Sequence, residues 1–232
     1  IIANKSINIG KAIDGSAIAL GCMRMSPLTV QQADTVLMSA YENGIDFFDH
    51  SDIYAANGVW SDDVFGKALA LHPGLREQIV IQSKCGIRQG YYDHSKEHII
   101  NSVNGSLKHL QIEALDVLLL HRPDTLIEPE EVGEAFDELY RAGKVRYFGV
   151  SNYNPMQIEL LKSGLNVPII ANQLQFGLKA TGMIDCGINV NMANPPSIMH
   201  DGSLLEYCRL NSITIQAWSP FLYGFFEGNF LD

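Results

Sequence analysis

DVLLLHRPDTLIEPEEVGEAFDELYRAGKVRYFGVS (116–151) reads as strand, helix, strand. DVLLLH (116–121) is a short apolar run that ends on a polar residue. From about 129 to 142 the apolar positions recur at helical spacing, and Gly143 supplies the stop before the next run. The acidic stretch EPEEVGE (128–134) lies at the start of that helix, where the macrodipole favours negative charge. VRYFGVS (145–151) is then a second strand, largely apolar apart from Arg146 and its last residue.

The same unit repeats in both directions. Strands are expected at AIALGC (17–22), IDFFD (45–49), IVIQSK (79–84), IIANQ (169–173) and ITIQAWS (213–219). Helical patterns occupy roughly 30–42, 61–71, 95–110, 154–163 and 201–211, with Asn154-Pro155 and Asp201-Gly202-Ser203 as openings. Strict alternation of strand and helix implies a parallel sheet. The expected fold is α/β, a (β/α)8 TIM barrel in one domain over 1–232, truncated after strand seven. INIGKAIDGSAI is a polar hairpin ahead of the first barrel strand, suited to plug the barrel's bottom. A doubly wound sheet is the alternative, but the chain contains neither G-x-G-x-x-G nor a P-loop. A seventh strand close to Asp232, with no initiator Met, suggests that both ends are incomplete and that an eighth strand would lie between 17–22 and 213–219. Segment 174–200 has little periodicity and is expected to shape a binding site.

Composition narrows the function. The 232 residues carry a net charge of -10, which argues against nucleic acid or an anionic membrane as principal partner. No apolar run is long enough to span a bilayer and no secretory signal is visible. Cys22, Cys85, Cys186 and Cys208 lack metal-type spacing, which suits reduced thiols in a cytoplasmic protein. Cys85 is expected to be packed and inert.

Asp49, Lys84 and His121 close successive strands, with Tyr54 just beyond the one that ends on Asp49. Polar residues at the carboxyl ends of barrel strands point into the site. A tyrosine beside a lysine is a sensible acid at neutral pH, since a nearby cation stabilises phenolate. An aspartate near that lysine would keep it charged. Taken singly, Asp49 could cap a turn, Lys84 could be a solvated strand end, and His121 a structural histidine. Trp218 alone would be core packing. Their joint placement points to proton transfer and carbonyl reduction. His94 and His98 share a helix face, but Ser95 stands where a zincin needs Glu, so the pair is expected to be solvated. His50 and Asp52 are expected to be solvated or to support the site indirectly.

With these residues in place, the chain resembles the aldo-keto reductases. The resemblance runs from the first strand to about residue 223. It rests on FFDHSDIYAANGVWSDDVFGKAL (47–69), IVIQSKCGI, LDVLLLHRPD, GKVRYFGVSNY and QAWSP, in order. The SKCGI and HRPD wording is similar to a bacterial branch that includes oxidoreductases of the YdhF type.

The resemblance implies Tyr54 as proton donor, Lys84 as the group that lowers its pKa, Asp49 as the anchor of Lys84, and His121 as the group orienting the carbonyl. It implies NADPH as cofactor and a small carbonyl compound as substrate. Ser151, Asn152 and Gln173 match partners of the nicotinamide carboxamide, and Trp218 a ring under the nicotinamide. Gly21, Cys22 and Met23 match a turn lining the cofactor, while Ser219, Pro220 and Leu222 match the stretch passing the pyrophosphate. Two alternatives remain open at this point. Lys84 could form a Schiff base in a class I aldolase barrel. A nucleotide-sensing regulatory role, as in potassium-channel β subunits, would need no turnover.

Overall fold

The computed structural model describes residues 5–221, so Leu222 lies outside the described residues. A hairpin of β1 (Ser6–Ile9) and β2 (Ile13–Ser16) opens the fold, followed by β3 (Ala19–Gly21), α1 (Val30–Glu42) and β4 (Phe47–Asp49). A small hairpin, β5 (Ala55–Ala56) and β6 (Val59–Trp60), leads into α2 (Ser61–Leu69) and β7 (Val80–Cys85). A second, β8 (Ile87–Arg88) and β9 (Tyr91–Tyr92), precedes α3 (Lys96–Leu110), β10 (Leu115–Leu120), α4 (Pro129–Arg141) and β11 (Val145–Ser151). The chain continues through α5 (Pro155–Lys162), β12 (Ile169–Gln175), α6 (Gly182–Ile188), α7 (Leu204–Leu210) and β13 (Thr214–Trp218).

Seven strands form one parallel sheet in the order β13-β12-β11-β10-β7-β4-β3, which is chain order throughout. No ladder joins β3 to β13 among the described residues. The sheet nevertheless curls round on itself. Gln82 on β7 and Gln216 on β13 are separated by three intervening strands, yet their side-chain amides meet at 2.9 Å across the interior.

Two cores explain the apolar runs. Outward residues such as Phe48, Ile81, Leu118, Leu120 and Phe148 pack on Leu37, Phe65, Ile99, Val132, Phe136 and Ile158 from the helices. Inward residues Phe47, Val80, Val117, Leu119, Ile170 and Ala171 form a smaller core with Ile9 of the first hairpin. Strands buried on both faces carry no polar alternation, which is why DVLLLH reads as a continuous run. The hairpin seals this inner core at the end where the strands begin, as expected. Its Gly10 adopts φ +58° and donates to Thr214 Oγ1 at 2.8 Å. A Cβ there would lie 2.4 Å from the Cβ of Ile170. Asp116 at the start of β10 is buried because Arg76 (2.9 Å), Arg146 (2.8 Å) and the Ile81 N–H (2.8 Å) satisfy its carboxylate.

Local signals fix most boundaries. Thr29 and Asn154 each form a reciprocal capping box, and Pro155 begins α5. Two expectations need correction. Ser203 precedes α7 without a side-chain cap, its own N–H bonding the Asp201 carboxylate instead. Segment 174–200 is not structureless, since it contains α6 and a 3-10 turn at Pro195–Ser197.

Candidate active site

The carboxyl ends of β4, β7 and β10 bring Asp49, Tyr54, Lys84 and His121 together. Lys84 is 1% exposed, and its Nζ donates to Asp49 Oδ2 and to the His50 carbonyl, both at 2.7 Å. The turn after β4 is pinned by the Tyr54 N–H on the Ser51 carbonyl and by the Ser61 N–H on the Tyr54 carbonyl. This holds the Tyr54 ring with its centroid 5.1 Å from Lys84 Nζ. His121 donates its backbone N–H to Cys85 and stands edge-on to Tyr54, with ring centroids 6.3 Å apart.

The charges follow from burial and pairing. Burial pushes the Asp49 carboxyl up, but Lys84, Gln82 and Gln173 more than reverse this and hold it below its usual range. Burial opposes the charge on Lys84 as well, yet Asp49 and Tyr54 raise its pKa, so it stays protonated. Tyr54 departs from the expected direction. Burial raises its pKa and Lys84 offsets only part of that rise, because the half-buried phenol loses more hydration than one ammonium returns. Burial, Lys84 and Arg122 depress His121 to about 3, leaving a neutral imidazole at any physiological pH. Its Nδ1 lies 3.1 Å from Ser51 Oγ. With that hydroxyl as donor, Nε2 carries the proton and can donate to a substrate oxygen.

The expected cofactor residues cluster on β11, β12 and β13. Ser151 Oγ donates to the Gln173 carbonyl at 2.9 Å and accepts from Asn152 Nδ2 at 2.8 Å. Asn152 sits at φ +64°, donates to the His121 carbonyl at 3.2 Å, and accepts from Trp218 Nε1 at 3.0 Å. The Arg122 guanidinium lies over the Trp218 ring, 6.0 Å from its centroid. Gly21 at the end of β3 and Met23 on the turn after it are exposed, whereas Cys22 is fully buried. Ser219 takes φ +48° directly after β13, and the Pro220 carbonyl lies against Gly177.

Sequence reading missed three supporting groups, Ser51, Gln82 and Gln216, because each matters only through a tertiary contact. It also misplaced one buried group, His94, which was expected to be solvated. His94 is 4% exposed and faces the Tyr153 hydroxyl at 3.3 Å, and burial depresses it to about 4. Burial raises Asp52 to about 6. Cys85 is buried with its thiol pushed well up, which makes it inert as expected. His50 is fully buried, with Nδ1 3.0 Å from Asp62 Oδ1 at the start of α2. Burial opposes its charge, but Cys22 and Asp62 outweigh that and raise it to about 10.

A testable pH dependence follows from His50. A raised folded-state value contributes stability fully below the ordinary 6.5, and that stability is lost as pH rises toward about 10. Urea unfolding should show stability falling between pH 7 and 9, by up to about 1.4 kcal/mol per pH unit. His50→Gln should flatten this slope. A wild-type slope that the substitution leaves unchanged would remove His50 as its source.

Comparison with known proteins bears on this geometry. The sequence model described as the Aldo/keto reductase family matches residues 17–232. The chain belongs to the aldo/keto reductase family. It is 36% identical over 230 residues to the uncharacterized oxidoreductase YcsN of Bacillus subtilis, covering 94% of this chain and 71% of that protein. It is 40% identical to the oxidoreductase YdhF of Escherichia coli over 64% of this chain, and spans about half (52%) of that relative's length. A 6-dehydroglucose reductase of Agrobacterium fabrum is 33% identical, covering 92% of this chain and 70% of that one. Among solved structures, the thermostable aldo-keto reductase Tm1743 in complex with epalrestat superposes with a TM-score of 0.74 at 25% identity, covering 94% and 73% of the two chains. Membership makes this aldo/keto reductase an NAD(P)H-dependent oxidoreductase by class, and its fold is the α/β barrel of that family.

Proposed function

We propose that this chain reduces a small aldehyde or ketone to an alcohol, using NADPH, with Tyr54 as proton donor. The observation that carries the reading is the buried, charged Lys84 held by Asp49 beside the Tyr54 ring, with a neutral His121 opposite. Bound nicotinamide would supply the hydride to the carbonyl carbon. As negative charge gathers on the carbonyl oxygen, Tyr54 and His121 Nε2 stabilise it as donors. Tyr54 then gives up its proton, and Lys84 steadies the phenolate left behind. Asp49 keeps Lys84 protonated and fixed throughout.

The residues present fit the nicotinamide end of such a cofactor. Gln173 spends an amide hydrogen on Gln216, while its Oε1 carries no hydrogen bond among the described residues. Asn152 Oδ1 accepts one bond from Trp218 and retains a second lone pair. Two acceptors suit a carboxamide NH2, and Trp218 offers a flat face nearby. A methyl group added at Gly21 would meet nothing within 4 Å, which leaves the first turn open. Preference for NADPH over NADH and a cytoplasmic setting belong to the same proposal. The four free thiols, Cys22, Cys85, Cys186 and Cys208, support a reducing compartment.

Consumption of NADPH and NADH against a panel of simple aldehydes tests the reading directly. Turnover supports it, and nucleotide binding without any turnover would favour a regulatory role. The Schiff-base alternative is disfavoured, because an amine nucleophile needs a depressed pKa and that of Lys84 is raised. Borohydride should therefore trap no adduct.

Trp218→Ala should weaken nucleotide binding by about 1–3 kcal/mol, the usual cost of removing a stacked aromatic. It should also abolish most cofactor-induced quenching of protein fluorescence. Full quenching in the variant would assign the effect to Trp60, the other tryptophan of the chain.

A further inference from the structure

We propose that Gln216 is a positioning residue for the proton site: acting through Gln82, it fixes the Asp49 carboxylate on Lys84. The inference goes beyond the reductase reading, because it concerns what holds Asp49 whatever the substrate. Asp49 is gripped from two sides. Lys84 Nζ donates to Oδ2 at 2.7 Å, and Gln82 Nε2 donates to Oδ1 at 2.7 Å. Gln82 is fully buried on β7, so its amide has no water to turn toward.

What orients that amide is the strand on the far side of the interior. Gln82 Nε2 spends its second hydrogen on Gln216 Oε1 at 2.9 Å, and Gln82 Oε1 accepts from Gln216 Nε2 at 3.0 Å. The pair is reciprocal, and reciprocity fixes which end of Gln82 faces Asp49. Turning Gln82 over would set its carbonyl against the carboxylate, and would leave two like groups facing each other in the pair with Gln216. Gln216 Oε1 also accepts from Gln173 Nε2 at 3.2 Å, so both of its lone pairs are used. The ring thus ties Asp49 on the proton side to Gln173 on the proposed cofactor side.

Strand closure alone does not call for these residue types. Neighbouring inward positions are filled by Val117, Leu119 and Ala171, and apolar side chains would bridge the interior without buried amides. A hydrogen-bonding group at 82 adds a donor to the carboxylate beside Lys84 and Gln173, and one at 216 orients it.

The test reads Asp49 itself. Carbon-13 carboxyl titration, assigned with Asp49→Asn, should show the Asp49 midpoint about one pH unit higher in Gln82→Leu than in the wild type. Gln216→Leu should move it in the same direction by about half as much, while the remote Asp93 carboxyl stays in place. Should Gln216→Leu fail to fold, Gln216→Met keeps the side-chain length and adds no charge but removes both the acceptor and the NH2 that orient Gln82, and the same upward shift is expected. An Asp49 midpoint unmoved in the folded Gln216 variant overturns the proposal. The readout needs no turnover, so an enzyme that reduced nothing would count against the reductase reading and leave this result intact.

Discussion

Tyr54→Phe should lower turnover with any reducible aldehyde by at least about a hundredfold, the usual scale for losing a general acid. The ring survives in the variant, so its packing against His121 and the cation–ring contact with Lys84 persist. Nucleotide affinity should stay nearly constant. The loss should fall equally on kcat and kcat/KM, because the hydroxyl acts on charge that develops only in the transition state. Steady-state kinetics with nucleotide titration separates the two quantities. A variant that keeps most of its activity would remove Tyr54 as the donor.

Lys84→Met should abolish reduction and also weaken the fold. The side chain is 1% exposed and forms an ion pair with Asp49 at 2.7 Å. Removing one member of a buried pair leaves the other charge uncompensated, at a cost of about 3–5 kcal/mol. Gln82 still holds one carboxylate oxygen, so the lower end of that range is expected here. The catalytic loss has a separate cause: Tyr54 already titrates above its ordinary value with Lys84 present, and without it nothing offsets burial. Denaturant unfolding and aldehyde kinetics on the same preparation read the two effects. Normal turnover in a destabilised Lys84→Met would leave Lys84 a structural role only.

Much of the fold was legible because both faces of the central strands, such as β7 and β10, are covered. VRYFGVS and the helix at 30–42 match β11 and α1 residue for residue, and the other barrel strands differ from their expected bounds by one or two residues at an end. Asp49, Lys84 and His121 could be picked out since a polar residue ending an apolar run has nowhere to point but into the strand-end cleft. His94 could not, because it lies ahead of the Ser95 cap and outside α3, so it shares no helix face with His98 and its burial depends on a distant residue. Its cover is Tyr153, fifty-nine positions further along the chain.

The sequence by itself therefore determined the alternation of strands and helices, the parallel order of the sheet, and the polar residues at and just beyond the strand ends. Those follow from local periodicity and from turn chemistry, which act over a few residues. Tertiary structure alone decided which buried polar groups meet. Gln82 and Gln216 are 134 positions apart, and only the curl of the sheet brings their amides together. It also decided the charge states, raising His50, depressing His121 and leaving Tyr54 above its ordinary value. A pKa is set by the balance of desolvation against neighbouring charge, and both depend on surroundings that no single stretch of chain contains.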